Sequence, residues 1–205
     1  MVKFFSKRLL IRDHIEDDLM THHKLMSDKN VMLFLPDLYC ESLNEARKHL
    51  YKCINFASDY PRKYYFFRIE NRFTCEHVGE IGFTRTENQN ISAGYFLTKR
   101  LWGNGYAREA LNAVFRFAFI EHNVESVSCS CLKRNVQSEN VMKACGMRFF
   151  RQYENDSGAA RVEYRLSFHQ WLTGHPEWIS PLHIPDPFMN LLKRRGPFFP
   201  YRLVS

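Results

Sequence analysis

Two glycines lie in a short loop between an apolar strand and a long amphipathic helix, within segment 95–118. Gly103 and Gly105 leave the backbone there without side chains, so a ligand can approach it closely. The first turn of the helix that follows offers unpaired N–H groups and the positive end of a helix dipole. Together these features predict an anion site, most often one for phosphate.

The glycine spacing excludes two common phosphate motifs. A dinucleotide fingerprint needs a third glycine three residues after Gly105, where Arg108 stands, and a GxxxxGK[ST] loop occurs nowhere in the chain. What remains runs from Arg100 through Gly103 and Gly105 into the helix. An ordinary strand–turn–helix junction, with glycines for backbone geometry alone, is the alternative interpretation.

Residue periodicity predicts the elements that position this loop. One buried face of the helix recurs at helical spacing, and its members are Ala107, Ala110, Leu111, Val114, Phe115 and Ala118. A capping box at Ser42 and Glu45 starts a second helix, and further helices are predicted over 15–26 and from Asn135 to Gly146. Strands are predicted over 8–12, 64–69, 78–83, 91–97, 126–132, 148–154 and 160–168.

Composition indicates one globular domain. The chain has 205 residues, 45% of them hydrophobic, so it can bury a substantial core. Its formal charge of +7 suits an anionic ligand. The basic residues are spread along the chain except at 193–195, a distribution typical of a solvated surface, and we do not expect nucleic acid binding.

The cysteine and histidine spacings predict no metal site. The six cysteines form no CxxC pair, and the default interpretation is buried free thiols in a reducing compartment. His22 and His23 are expected to be surface or half-buried helix residues rather than ligands. No apolar run near the start is long enough for a signal peptide or membrane span, which predicts a cytoplasmic protein without membrane contact.

The C-terminal region differs in composition from the rest of the chain. Six of the eight prolines lie between Pro176 and Pro200, among many aromatic residues. We expect a domain over 1–168 and an extension over 169–205. That extension is expected to pack on its own domain or on a partner subunit of a homodimer, with a lid over the substrate groove as the alternative.

Two motifs in order resemble the GNAT N-acetyltransferases. The loop from Arg100 to Ala107 resembles their R/Q-x-x-G-x-G/A pyrophosphate loop, and Asn135-x-x-Ser138 with the later Gly146 resembles their N-x-x-S…G-F segment. The strand sequences RLLIR, VGEIGF and AGYFL are similar to the branch that acetylates the N-terminal alanine of ribosomal proteins. Over about residues 5–168, the resemblance implies an α+β fold. It has a mixed, mostly antiparallel sheet flanked by helices, with acetyl-CoA wedged between two splayed central strands.

The resemblance also implies which residues contact the co-substrate acetyl-CoA. Arg100 would add positive charge near the pyrophosphate, Asn135 would bond the pantetheine arm, and Asn140 or Lys143 would lie near the nucleotide. Backbone groups would make the remaining contacts with acetyl-CoA. The pantetheine arm would pair with Phe96, Leu97 and Thr98, and the pyrophosphate with the amides of Gly103, Asn104, Gly105, Tyr106 and Ala107.

The expected catalytic residues match the family pattern only in part. Ser138 aligns with a serine that donates a proton to the leaving thiolate. Two positions that often carry acids in the family hold Ser92 and Ser130 instead. The remaining candidates for the base are Glu154 and Glu80.

Three functional hypotheses follow. The first is transfer of acetyl from acetyl-CoA to a primary amine, with a protein or peptide N-terminus as the first choice of acceptor and a small-molecule amine as the alternative. The second is an acetyl-CoA-binding regulatory module with weakened chemistry, because serines replace acids. The third is a basic nucleic-acid binder, which would show salt-dependent affinity.

Overall fold

The computed structural model describes residues 1–86 and 89–175, and these residues build one eight-stranded sheet flanked by helices. The strand order is β1-β2-β3-β4-β5-β6-β8-β7, and every neighbouring pair is antiparallel except β5 with β6. The strands are β1 (Lys3–Phe5), β2 (Leu9–Asp13), β3 (Tyr64–Asn71), β4 (His77–Arg85), β5 (Asn90–Leu97), β6 (Ser126–Leu132), β7 (Arg148–Glu154) and β8 (Ala160–Ser167).

Within the described residues, six α-helices cover the two faces of the sheet. They are α1 (Leu19–Met26), α2 (Lys29–Met32), α3 (Leu43–Ser58), α4 (Tyr106–Arg116), α5 (Val136–Ala144) and α6 (Phe168–Thr173). The capping box at Ser42 and Glu45 is confirmed at the start of α3. The predicted mixed α+β class is confirmed as well. The sequence patterns missed β1, which is only three residues long, the four-residue helix α2, and α6.

The larger core lies between the sheet and α4. Alternate β3 residues Tyr65 and Phe67 point to this side, where Tyr65 meets Phe117 in the π-helical turn that follows α4. Residues Phe168 and Trp171 of α6 join the same core. The core therefore extends past residue 168. Residues 176–205, which make up most of the predicted extension, lie outside the described residues.

The apolar core on the opposite face of the sheet is smaller, and buried charged residues lie beside it. Leu25, Met26, Val31, Met32, Cys40 and Ala46 form a separate cluster of buried residues in α1, α2, the following loop and α3. Beside it, the Arg12 guanidinium lies 2.8 Å from Asp18 and 2.7 Å from Glu70, and Arg68 lies 2.6 Å from Glu70. This network ties β2 and β3 to the chain just before α1.

The sheet opens in the middle. β5 and β6 pair only from Asn90 with Ser126 to Ala93 with Cys129, whereas β5 continues to pair with β4 as far as Leu97. Beyond Ala93 the two strands diverge. In the part of the chain that the structure describes, no helix is long and apolar enough to cross a membrane.

The half-buried imidazole of His122 makes the stability of this fold acid-sensitive. Burial, followed by the charges of Arg85 and Arg62, lowers the pKa of His122 from 6.5 to about 4. The imidazole therefore binds a proton below about pH 6.5 in the unfolded chain, but only below about pH 4 in the folded protein. Stability present above pH 6.5 is lost as the pH falls through this window.

We expect His122→Gln to flatten the loss of unfolding free energy between pH 6.5 and 4, as measured by urea titrations at several pH values. His23→Gln, at a partly exposed position of α1, controls for removing an imidazole. Equal slopes for wild type and His122→Gln would contradict the prediction.

Candidate active site

A cavity of about 510 Å³ opens where β5 and β6 diverge. Its walls come from the last residues of β5, the end of β6, the first turn of α4 and the N-terminal half of α5. Among the described residues that line it, the charged side chains are Arg108 and Arg161, with no carboxylate. The cavity is therefore suited to an anionic ligand.

The glycine loop, residues 102–105, forms one end of this cavity. Gly103 and Gly105 have φ values of 78° and 76°, in the left-handed region that favours glycine. Gly105 is the N-cap of α4, so the first amides of the helix face outward at the loop. The Asn104 side chain closes the loop by donating to the carbonyls of Leu101 and Trp102, both at 3.1 Å.

A distant pair of residues braces the loop from behind. Glu109, in the first turn of α4, accepts hydrogen bonds from the Ser6 hydroxyl and from the backbone and side chain of Arg8, each at 2.6 Å. Burial alone would raise the pKa of Glu109, but these bonds hold it below its ordinary value. Arg8 also donates to the Asn104 carbonyl at 3.1 Å. Sequence reasoning missed this brace because about a hundred residues separate its two halves.

The positive charge near the loop comes from a different arginine than expected. Arg100 forms an ion pair with Glu76, and its side chain is not part of the cavity wall. Arg108 lines the cavity instead. The expected role of Arg100 therefore fits Arg108 better in this structure. Gly103, Gly105, Tyr106 and Ala107 line the cavity, whereas Asn104 does not, and their contacts with pyrophosphate stay predictions.

The register of β5 shows which of its backbone groups face the cavity. Thr98 donates its N–H to the Val78 carbonyl at 2.9 Å, and Phe96 lies opposite Glu80 in the same ladder. Since alternate residues of an antiparallel strand bond to the same neighbour, the backbone groups of Phe96 and Thr98 turn toward β4. These two members of the predicted set are therefore occupied within the sheet.

The backbone groups that turn toward the cavity belong to Tyr95 and Leu97. On this side the Ile91 carbonyl already accepts from Ser128, and the Leu97 carbonyl accepts from the Trp102 indole at 2.8 Å. The N–H groups of Tyr95 and Leu97 and the Tyr95 carbonyl are then the ones in position to bond an extended ligand arm. Of the three expected residues, Leu97 is retained and Tyr95 is added.

The N-terminus of α5 forms the opposite wall. The Asn135 side chain caps this helix by accepting from the Ser138 N–H at 3.1 Å. Asn135, Ser138 and Asn140 all line the cavity. Their predicted contacts with acetyl-CoA are thus compatible with the geometry and remain predictions.

Ser138 is held by a residue that sequence reasoning did not select. The Tyr95 hydroxyl lies 3.1 Å from the Ser138 hydroxyl and 3.2 Å from its carbonyl. Burial, opposed by the bond to Ser138, raises the pKa of Tyr95 well above its ordinary value. Tyr95 therefore stays protonated and can donate to Ser138, which leaves the Ser138 proton available to a group in the cavity.

The two candidate bases lie in very different places. Glu154 is exposed at the end of β7, the edge strand, which β8 separates from β6, and it does not line the cavity. Glu80 is only 4% exposed and lies on β4 opposite Phe96, which does line the cavity. Ser130 is in the cavity wall, whereas Ser92 is not. The structure thus brings Glu80 near the opening without exposing its carboxylate to it.

Glu80 is surrounded by histidines, and this corrects the expectation for His22. His22 is fully buried rather than at the surface or half-buried, and its Nδ1 lies 2.5 Å from the Glu80 carboxylate. His14, His22 and Glu80 have ligand atoms within 4.8 Å of one another. The His22–Glu80 separation is that of a hydrogen bond and is shorter than the spacing of two ligands on one ion, about 3 Å. This arrangement does not support a metal centre.

Comparison with known proteins places this geometry in a family. Residues 8–148 match the family model described as an acetyltransferase (GNAT) domain. The chain belongs to the GNAT acetyltransferase family. It is 30% identical to an uncharacterized N-acetyltransferase, YnaD, of Bacillus subtilis (strain 168) over 145 residues, which are 70% of this chain and 81% of that protein.

Solved GNAT structures share the fold at low identity. A ribosomal-protein-S5-alanine acetyltransferase from Vibrio fischeri has a TM-score of 0.69 at 17% identity, covering 83% of this chain and 99% of that one. A spermidine N-acetyltransferase from Vibrio cholerae, in complex with CoA and spermine, has a TM-score of 0.68 at 16% identity, covering 80% and 98%. The GNAT fold inferred from the two motifs is confirmed, and the protein is an acetyl-CoA-dependent N-acetyltransferase of this type.

The glycine loop can be tested with two glycines of the same backbone conformation. Gly103 lines the cavity, and Gly158 lies in the turn between β7 and β8 with a φ of 75°; a Cβ at either would meet no atom within 4 Å. Gly103→Asp and Gly158→Asp should each lower the unfolding free energy by about 1 kcal/mol, because both force a side chain into the left-handed region.

Only Gly103→Asp should weaken acetyl-CoA binding, by at least about 100-fold, because it adds a negative charge where phosphate is expected. Isothermal titration calorimetry with acetyl-CoA measures the difference, and chemical denaturation measures the matched cost. Equal affinity of the two variants would remove the loop from the binding site.

Ser138 can be tested through its partner. Ser138→Ala should lower kcat by about 100-fold with little change in acetyl-CoA affinity, because it removes a proton donor rather than a binding contact. Tyr95→Phe should lower kcat less, because it removes the hydrogen bond that orients the Ser138 hydroxyl but leaves the hydroxyl in place. If Ser138→Ala turns over at the wild-type rate, Ser138 has no part in the chemistry.

Proposed function

We propose that this enzyme acetylates the N-terminal amine of a protein or peptide, with acetyl-CoA bound in the opening between β5 and β6. The glycine loop and the start of α4 bind the pyrophosphate, and Arg108 adds charge. Tyr95 and Leu97 bond the pantetheine arm through their backbones, and Asn135 and Asn140 line the same channel. These assignments rest on the geometry of the cavity.

The observation that carries the choice of acceptor is the charge beside the opening. Arg161 lines the cavity and donates to Ser130, at 3.2 Å to its carbonyl and 3.1 Å to its hydroxyl. Further along β8, Glu163 lies 2.8 Å from both Arg151 and Arg165. This part of the sheet is therefore net positive. A polyamine carries several positive charges and would be repelled here, whereas a peptide N-terminus presents one amine next to neutral or acidic groups.

The fold alone does not decide between the two acceptors, because solved structures that share it include enzymes named for each. The ribosomal-protein-alanine enzyme supports a peptide N-terminus, and the spermidine enzyme supports a small amine. A small amine with a single positive charge is the second candidate, since it would meet less repulsion than a polyamine.

Transfer to an amine makes three demands on the chain. The amine must lose a proton, the charge that develops on the acetyl oxygen must be stabilised, and the departing thiolate must gain a proton. Backbone N–H groups of β5 can supply the second, and Ser138, oriented by Tyr95, can supply the third. Acetyl-CoA supplies the acetyl group.

The test is a two-step measurement. Calorimetric titration with acetyl-CoA and with CoA should show micromolar binding of both. Free thiol release should then rise with peptides that begin with a free alanine or serine and carry an acidic residue next to it. The same peptides blocked by N-acetylation serve as the control.

Spermidine should be a much poorer acceptor than these peptides, by about 10-fold or more in kcat/KM, and the gap should narrow at high salt because the repulsion is screened. Efficient acetylation of spermidine and none of the peptides would overturn the proposed acceptor. Failure to bind either acetyl-CoA or CoA would overturn the site.

A further inference from the structure

The cluster formed by Glu80, His22 and His49 is a continuous hydrogen-bonded path from the protein interior toward the surface. The His22 Nδ1 lies 2.5 Å from the Glu80 carboxylate, and the His22 Nε2 lies 3.1 Å from the His49 Nδ1. The two imidazole rings are stacked with centroids 5.2 Å apart. Glu80 and His22 are buried, whereas His49, on α3, is partly exposed. The path therefore has one end that reaches solvent.

The donor and acceptor roles along this path follow if both imidazoles are neutral. Glu80 is ionised: burial would raise its pKa, but the imidazoles of His22 and His14 bring it to about 2. The carboxylate then accepts from Nδ1–H of His22, and in a neutral His22 this leaves Nε2 as an acceptor. That nitrogen in turn accepts from Nδ1–H of His49. The Nε2 lone pair of His49 points out of the chain of bonds and has no hydrogen-bond partner among the described residues.

This end of the path and the cavity lie over the same face of the sheet. Phe66, Gly82 and Gly94 lie opposite one another across β3, β4 and β5, and the His49 ring contacts the Phe66 ring edge-on with centroids 6.4 Å apart. Gly94 lines the cavity, and a side chain there would meet no atom within 4 Å. At about 4.8 Å between strands, the distance from Phe66 to Gly94 is about 10 Å. Gly82, between them, is buried, and a Cβ there would lie 3.2 Å from the Phe66 ring. Waters that join His49 to an amine at the opening must therefore pass around this ring.

We propose that His49 accepts the proton of the acceptor ammonium and that His22 and Glu80 are positioning residues that hold and relay this proton. This inference rests on the proposed function, since it concerns the same amine. The ammonium N–H bond breaks and, through water, an Nε2–H bond forms on His49. His49 then passes its Nδ1 proton to Nε2 of His22, and the positive charge comes to lie on His22 beside the Glu80 carboxylate. The acceptor nitrogen keeps its lone pair for attack.

The imidazole of His49 by itself would be a poor base for the acceptor ammonium, and the relay compensates for this. Burial lowers the pKa of His49 to about 4, so His49 is neutral at physiological pH but is a weak base by itself. Moving the proton one residue inward places the charge next to a carboxylate, much as the buried acid of a catalytic triad stabilises its imidazolium. Glu80 thereby contributes to proton removal although its own carboxylate is buried.

Other titratable groups around the path are compatible with this role. Burial lowers the pKa of His77 to about 4 and raises that of the Cys53 thiol, whose sulfur lies 3.7 Å from Nδ1 of His49, so both are neutral near pH 7. Among the described residues, the other charged or ionisable side chains near the cluster include His14, Lys52, Arg68, Arg62 and Cys40.

The decisive variants are His49→Gln, Glu80→Gln and the double variant. Each single substitution should lower kcat/KM for an alanine-initiated peptide by about 100-fold, the usual contribution of a general base, while the affinity for acetyl-CoA is unchanged. The double variant should be no worse than the worse single variant, because both remove one path. His23→Gln, the neighbouring histidine on α1 outside the path, is the matched control.

Two readouts separate a proton path from a structural role. In His49→Gln the acid limb of the pH–rate profile should move to follow the ionisation of the peptide amine, and imidazole in the buffer should partly restore the rate of His49→Gly. A structural role predicts neither effect. Additive losses in the double variant, or a wild-type pH profile in His49→Gln, would overturn the relay.

A measurement without turnover keeps this inference separate from the proposed function. Nitrogen-15 NMR of the histidines should show Nδ1-protonated His22 and His49, with a low-field proton from the short His22–Glu80 bond that disappears in Glu80→Gln. Nε2 protonation of neutral His49 would exclude the path even if peptides are acetylated. Conversely, the expected tautomers in an enzyme that acetylates no amine would sink the proposed acceptor and leave the path in place.

Discussion

The separation of β5 from β6 is the constraint on which the rest of the site depends. A single parallel pair lies in an otherwise antiparallel sheet, and it is held together over only four residues of β5. Past Ala93, β5 is bonded on one side alone, so every second residue presents backbone donors and acceptors to the opening. The α4 and α5 helices begin at this opening, which aligns two helix N-termini and one strand edge on the same volume.

The site is kept in shape by contacts far apart in the chain. Glu109 joins the first turn of α4 to Arg8 in the loop that leads into β2, and Tyr95 joins β5 to Ser138 on α5. On the other face, the ion pairs of Arg12 and Arg68 with Asp18 and Glu70 fix the chain before α1. This fixes the position from which His22 reaches Glu80. Buried charges are costly to leave unpaired, and here each of these has a partner within hydrogen-bonding distance.

Much of this could be predicted from the sequence, for identifiable reasons. Strand and helix periodicity depends on local spacing, so β3 to β8 and α3 to α5 fell close to their observed positions. The glycine loop was readable because Gly103 and Gly105 mark a backbone conformation. The role of Arg108 and the cluster around Glu80 were not readable, because they depend on which side chains the sheet register brings together. The backbone alternation along β5 shows the same limit: Tyr95 and Thr98 are near in sequence, and only the hydrogen bonds to β4 reveal that their amides face opposite ways.

The opening in the sheet also bears on how this protein avoids aggregation. A strand edge with unsatisfied amides is ordinarily a template for pairing with another chain. Here that edge lies in the middle of the sheet, with β6 beside it and the α4 and α5 helices at the opening, rather than at the rim of the sheet. The same walls that shape a ligand channel therefore shield an internal edge that would be adhesive at the rim of the sheet.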